Sequence, residues 1–353
     1  MEKSEAEVSR QMDFLTEYGL FLAKAATIVA ALLLVVAGSV ALSARARTKA
    51  RDGLEVKHLN AHYRHMQHAL RSAFVPRRAL RKLSRQDRKL GKPRHGKQGT
   101  SRNRVFVLNF QGNILATAVA SLREEITAVL TVATPQDEVL VRLESSGGLV
   151  HAYGLAASQL QRIKQRKIPL TVAVDKVAAS GGYMMACVAD RLLAAPFAVL
   201  GSIGVVSQLP NFHRLLKKND IDFEQITAGE YKRTLTLFGE TTDRAREKVR
   251  EEVEQAHGLF KDFVAEHRPR LDIAAVSTGE YWYGRQALDL KLVDELRTSD
   301  DYLLEASETA EVYEVNYVRK KTGMQRLLGQ VSALRRLGFS DPALRALADP
   351  IET

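Results

Sequence analysis

Apolar positions along the chain follow two different patterns. From Ala25 to Leu42 they are continuous: 18 residues without a charge, dense in Ala, Val and Leu. That length suits one helical crossing of a bilayer, where the helix satisfies its own backbone groups. Leu20–Ala23 lengthens the run, and Lys24 can extend its ammonium to the interface. A cleaved signal peptide is the competing reading. The length of the run, the acidic residues before it and the Arg/Lys directly after it favour an uncleaved anchor over 20–43, behind an N-terminal tail of 1–19. From Val105 the pattern changes. Short apolar runs at Val105–Phe110, Val139–Leu143, Leu170–Val174, Leu192–Ala194 and Ile203–Val206 predict strands. Amphipathic stretches at Ile114–Val132, Val150–Gln165 and Gly182–Ala189 predict helices, as does the long charged stretch Thr242–His267. Alternation of this kind predicts an α/β domain with a largely parallel sheet over 105–308, followed by a C-terminal tail, 309–353.

The charge is unevenly placed. Between Ala44 and Arg104 there are 19 Lys/Arg and 3 Asp/Glu, a local net of +16, whereas the whole chain is +11. The remainder is therefore net −5, and the basicity belongs to a linker, 44–104, that ends in a Gly- and Lys-rich stretch reading as disordered. Leu54–Leu83 within it has faint helical spacing. Beside a membrane helix, such charge fits anionic lipid headgroups and solvation. Nucleic acid is not expected, because the segment offers only Tyr63 and Phe74 for stacking. Residues 1–19 carry 2 Lys/Arg and Arg45–Lys57 carry 5, so charge bias alone places the C-terminal side in the cytoplasm. Cys187 is the only cysteine, so the fold needs no disulfide, and its apolar neighbours predict a buried thiol. No Cys/His spacing suits a metal, and no cofactor is expected.

Three polar elements interrupt the apolar texture. Glu144-Ser145-Ser146-Gly147-Gly148 places a Gly pair after a strand, where backbone amides can approach a ligand; taken alone, a plain tight strand-to-helix turn is the stronger reading. Ala179-Ser180-Gly181-Gly182-Tyr183 places a serine among small residues where a strand meets a helix, and a simple N-cap is the competing reading. Tyr231-Lys232-Arg233 offers a lysine, ordinarily a solvated surface charge. For a lysine to act as a base near neutral pH, desolvation must lower its pKa by roughly 3 units, about 4 kcal/mol.

In this order the three elements, with Gly201-Ser202-Ile203-Gly204 and Trp282-Tyr283-Gly284-Arg285-Gln286-Ala287…Leu292-Val293-Asp294, resemble the signal peptide peptidase A (protease IV) family, and its SohB-like branch in particular. The resemblance spans about Val105–Leu304, including the separation of 52 residues between Ser180 and Lys232. It implies a ClpP/crotonase-like spiral of ββα units, preceded here by the transmembrane helix and basic linker. It further implies Ser180 as nucleophile, Lys232 as general base and Ser202 holding the lysine. The backbone amides of Gly181 and of the Gly147-Gly148 turn would form the oxyanion hole. The chain departs from the family in having Ser146 where proline usually precedes the Gly pair, and Lys291 where glycine is usual.

The expectation is a single-pass protein of the bacterial inner membrane, a serine endopeptidase acting on unfolded or membrane-derived peptides. Homo-oligomers with sites near protomer interfaces and contact with membrane lipids are implied as well. Better-known members work outside the cytoplasmic membrane, in conflict with the charge bias. Three other readings stay open: a ClpP-like Ser-His-Asp triad using His213, a crotonase-like acyl-CoA enzyme, and an inactive membrane scaffold.

Overall fold

A computed structural model describes residues 20–24, 26–34, 53–76 and 103–319. The chain divides into two compact units, Leu54–Val318 and a second comprising Met1–Gly53 with Arg319–Thr353. In the latter, residues 20–24 and 26–34 are helical with exposed side chains. No helix among the described residues is long and apolar enough to cross a membrane. The expected anchor extends to 43, and its stretch 35–43 lies outside the described residues, as do 1–19, 77–102 and 320–353.

The larger unit is α/β. Its main sheet runs β1 (Gly53–His58), β10 (Glu311–Val318), β2 (Arg104–Gly112), β3 (Glu138–Ser145), β4 (Leu170–Val174), β6 (Arg191–Ala194), β9 (Glu295–Leu296). Every ladder from β10 to β9 is parallel. Parallel strands covered on both faces need no polar alternation, which is why β4, Leu-Thr-Val-Ala-Val, is buried throughout. β2 shows how the two faces divide. Phe106, Leu108 and Phe110 enter the larger core with α2 (Val119–Leu130) and α3 (Val150–Gln165), while Val105 and Val107 join Leu140, Leu303, Val312 and Leu59 on the other face.

Three short strands leave the main sheet: β5 (Val177–Ala179), β7 (Val199–Gly201) and β8 (Tyr281–Tyr283). β5 pairs with the last residue of β3, then with β7 in parallel, and β7 pairs with β8 antiparallel. The chain thus twice runs from main sheet to side sheet to helix: β4, β5 and α4 (Gly181–Ala186), then β6, β7 and the segment leading through α5 (His213–Lys218) to α6 (Asp243–His267). α7 (Ile273–Val276), α8 (Gly284–Asp289) and α9 (Ser299–Thr309) complete the unit.

Several elements differ from the sequence reading. Ile203–Val206 is not a strand: the strand lies earlier, at Val199–Gly201, and ends because Ser202 turns to φ 51° and donates its amide to Glu280 O at 2.6 Å. The helix expected from Ile114 starts at Val119, since Asn113 Oδ1 accepts the Thr117 amide at 3.0 Å and closes a turn first. Residues 53–74, inside the expected linker, form β1 and α1 (Leu59–Phe74), and β10 lies inside the expected tail. The two are joined by Asn60, which is buried; its side chain donates to Ser307 O and Ala310 O, both at 2.8 Å, and accepts from the Val312 amide at 2.7 Å. His58 adds a ring stacked on Tyr313 and a 2.5 Å contact with Glu311.

Candidate active site

Ser180 stands where β5 ends and α4 begins, with φ 51° and ψ −120°. A side chain at positive φ is strained by about 1–3 kcal/mol and persists only where its surroundings impose it. Two backbone bonds do so: the Ser180 amide donates to Gly201 O at 2.8 Å, and Ser180 O accepts from the Met184 amide at 3.0 Å. Ser180 does not serve as a side-chain N-cap. Its half-buried hydroxyl makes no hydrogen bond among the described residues.

Glycines allow the surrounding backbone to close in. A Cβ at Gly147, whose φ is +95°, would lie 2.8 Å from both Ser180 Cβ and the Gly181 amide nitrogen. One at Gly181 would lie 2.5 Å from the Tyr153 ring, and one at Gly148 would overlap the Ile114 backbone. The Gly pair is therefore packed directly against Ser180 and Gly181.

A hydrogen-bonded chain lies beneath this turn. The Gly147 amide donates to Ser145 Oγ at 3.1 Å, Ser145 Oγ meets Tyr153 Oη at 2.5 Å, and Tyr153 donates to Asn113 O at 2.8 Å. The tyrosine has one proton and gives it to a carbonyl, so Ser145 must donate to Tyr153. Burial pushes the Tyr153 hydroxyl pKa up, with a smaller opposing effect from Ser145. Tyr153 and Asn113 were not singled out in the sequence; Ser145 stands in the Gly-pair element, two residues before Gly147, but was given no role there. The amide of Gly147 is engaged in this chain, whereas those of Gly148 and Gly181 make no hydrogen bond among the described residues.

Ser202 occupies the matching position on the neighbouring strand. Ala179 pairs with Gly201, and the residue after each is a serine at φ 51°. Strand spacing puts the paired Ala179 and Gly201 backbones roughly 5 Å apart. The Trp282 ring fills the space at Gly201, where a Cβ would come within 2.7 Å, and His257 Nε2 lies 3.2 Å from Ile203 O. Further along, Arg268 pairs with Asp294 at 2.7 and 2.8 Å. Burial would raise the Asp294 pKa, but bonds from Arg268 and the Leu192 amide, with the nearby positive charge, together outweigh it and hold the carboxyl below its usual range.

Lys232 is not brought to either serine within the single chain. It is exposed, and its ammonium makes no hydrogen bond or ion pair among the described residues. Its neighbours are tied to the start of α6: Glu230 forms an ion pair with Arg244, and the Tyr231 ring receives Arg244 and Lys248 at 5.9 and 5.2 Å. His213 is occupied elsewhere, with Nδ1 3.2 Å from Phe238 O. No cluster of metal-ligating side chains occurs among the described residues.

Residues 13–160 match the Peptidase family S49 N-terminal profile, and residues 162–313 match Peptidase family S49. Probable protease SohB of Haemophilus influenzae is 49% identical over 322 residues, covering 88% of this chain and 91% of that protein. The protein of the same description from Buchnera aphidicola subsp. Schlechtendalia chinensis is 46% identical over 304 residues, 83% of this chain and 99% of its own. Among solved structures, the 1510-N membrane-bound stomatin-specific protease in complex with a substrate peptide aligns at 14% identity and TM-score 0.40, covering 66% of this chain and 100% of that one.

Proposed function

Because the chain belongs to peptidase family S49, and so is a serine-type peptidase, we propose that Ser180 is its nucleophile and Lys232 its general base. The observation behind the first assignment is the strained, uncapped Ser180 beside the Gly147-Gly148 turn. A neutral lysine amine takes the Ser180 proton as Oγ attacks the scissile carbonyl. The resulting oxyanion is held by the Gly148 and Gly181 amides, the two left open in the turn and at the helix start. The leaving amine takes the proton back, and water hydrolyses the acyl-enzyme. Ser202, beside Ser180, orients the lysine.

The lysine arrives from a second copy of the chain. Its segment is exposed in one copy and displays Val206, Ile221, Phe223 and Ile226 to solvent. An interface there would cover those side chains and remove water from Lys232, which a neutral amine requires. Substrates are unfolded or membrane-derived peptides, bound in extended form. The apolar run over 20–43 anchors the protein in the bacterial inner membrane. The test is a mixed oligomer: Ser180→Ala and Lys232→Ala are each inactive alone, and mixing them restores part of the turnover. Absence of any recovery in confirmed hetero-oligomers would sink the shared site. Activity retained by Lys232→Ala would sink the dyad.

A further inference from the structure

We propose that α1 lies on the surface of an anionic lipid bilayer, with its C-terminal half as the docking element. Its start is held by the fold: Leu59 and Asn60 are buried and Tyr63 packs on the core cluster. Past that point the same helical face stays exposed. Met66, Leu70 and Phe74 recur at the spacing that places them in line with Leu59 and Tyr63, and they are 49%, 66% and 73% exposed. The flanks and opposite face carry Arg64, Arg71, His62, His65 and His68, and α1 contains no Asp or Glu. The sequence directly after it, 77–94, holds nine Lys/Arg against one Asp. An apolar stripe flanked by cations with no carboxylate complements an interface of acyl chains beneath acidic headgroups. Nucleic acid would pair with the cations but leave the Met, Leu and Phe stripe in water.

Chain length supports the same occupant. This step rests on the anchor reading of 20–43. Nine residues, 44–52, separate that run from β1, and fully extended they reach at most about 32 Å. A helix starting six residues later is thereby kept near the bilayer, so docking is effectively intramolecular.

The experiment uses the full chain with Ala73→Cys carrying an environment-sensitive fluorophore; Cys187 is buried and stays unlabelled. The protein is placed in vesicles of brominated phosphatidylcholine with or without phosphatidylglycerol. Phosphatidylglycerol is expected to increase quenching severalfold, and Leu70→Asp with Phe74→Asp to return it to the phosphatidylcholine level while peptidase activity in detergent is unchanged. Equal quenching in both vesicle types would overturn the proposal. So would shielding of the label in lipid-free detergent that rises with protein concentration, since a second copy would then cover the stripe, or shielding by single-stranded RNA that vesicles do not match. Flotation with phosphatidylcholine vesicles reads the anchor separately. Protein that fails to float there, yet is quenched with phosphatidylglycerol, would refute the anchor and keep the docking helix.

Discussion

The Ser180 amide donates to the Gly201 carbonyl at 2.8 Å, which locks the ends of β5 and β7 together and sets Ser180 beside Ser202. Both serines then turn away at φ 51°. The pair is thus a property of strand register rather than of two independent loops. If Ser202 orients the base, Ser202→Ala should lower kcat about tenfold, the worth of one hydrogen bond of about 1.4 kcal/mol, with little change in KM. Ser180→Ala should remove activity by at least about 10³-fold. Steady-state kinetics on an unstructured peptide checks both, and wild-type turnover by Ser202→Ala would dismiss its role.

Gly181→Ala forces a methyl into the Tyr153 ring, 2.5 Å from its nearest carbon. Overpacking of this kind costs about 1–3 kcal/mol, so the variant should melt lower and lose activity. Gly258→Ala is the matched control. Nothing lies within 4 Å of the added carbon there, and a helical Gly→Ala change should stabilise by about 0.5–1 kcal/mol. Thermal denaturation of the two should move in opposite directions.

Tyr153→Phe removes the middle of the chain from Gly147 to Asn113. Asn113 O and the Ser145 hydroxyl lose their partner, at a cost of about 1–3 kcal/mol. The turn under Ser180 should loosen, lowering kcat more than it raises KM. A loss of kcat that only tracks the folded fraction, with KM unchanged, would reduce Tyr153 to a stabilising residue only.

Asp137 should make part of the stability acid-labile. Burial would raise its pKa, but bonds from Arg104, Thr134 and the Arg104 amide outweigh that and hold it at about 2. A carboxyl depressed in the folded state stabilises above its unfolded pKa. That contribution is complete above about pH 4–5 and is lost as pH falls towards 2. Urea titrations across this window should show a steeper fall for the native chain than for Asp137→Asn.

Cys187 should be silent in the native state. Burial pushes its thiol up to about 12, with Arg268 opposing weakly. A thiol reagent at neutral pH should modify it only after denaturation.

Legibility followed the locality of the interactions. β4 and α3 were readable because continuous apolar runs and helical spacing are properties of their own residues. Ser180 and the Gly pair stood out as small residues between an apolar strand and a helix. β1 did not: its Leu54 and Val56 are exposed, and the strand is held through β10, some 250 residues away. The link from Tyr153 to Asn113 was equally hidden, since a hydrogen bond across a 40-residue separation leaves no periodic trace. Lys232 was legible only as a spacing shared with a family, because its own surroundings are polar and exposed.

β1 occupies the outer edge of the sheet beyond β10, so a stretch that reads as linker covers a row of backbone donors and acceptors. A truncation starting at β2, designed to shed the basic residues, would remove that cover along with them. It would also strand Asn60's partners at Ser307, Ala310 and Val312. Such a fragment would present an open strand able to recruit its own neighbours, and its clumping in solution would reflect a missing border rather than a missing membrane.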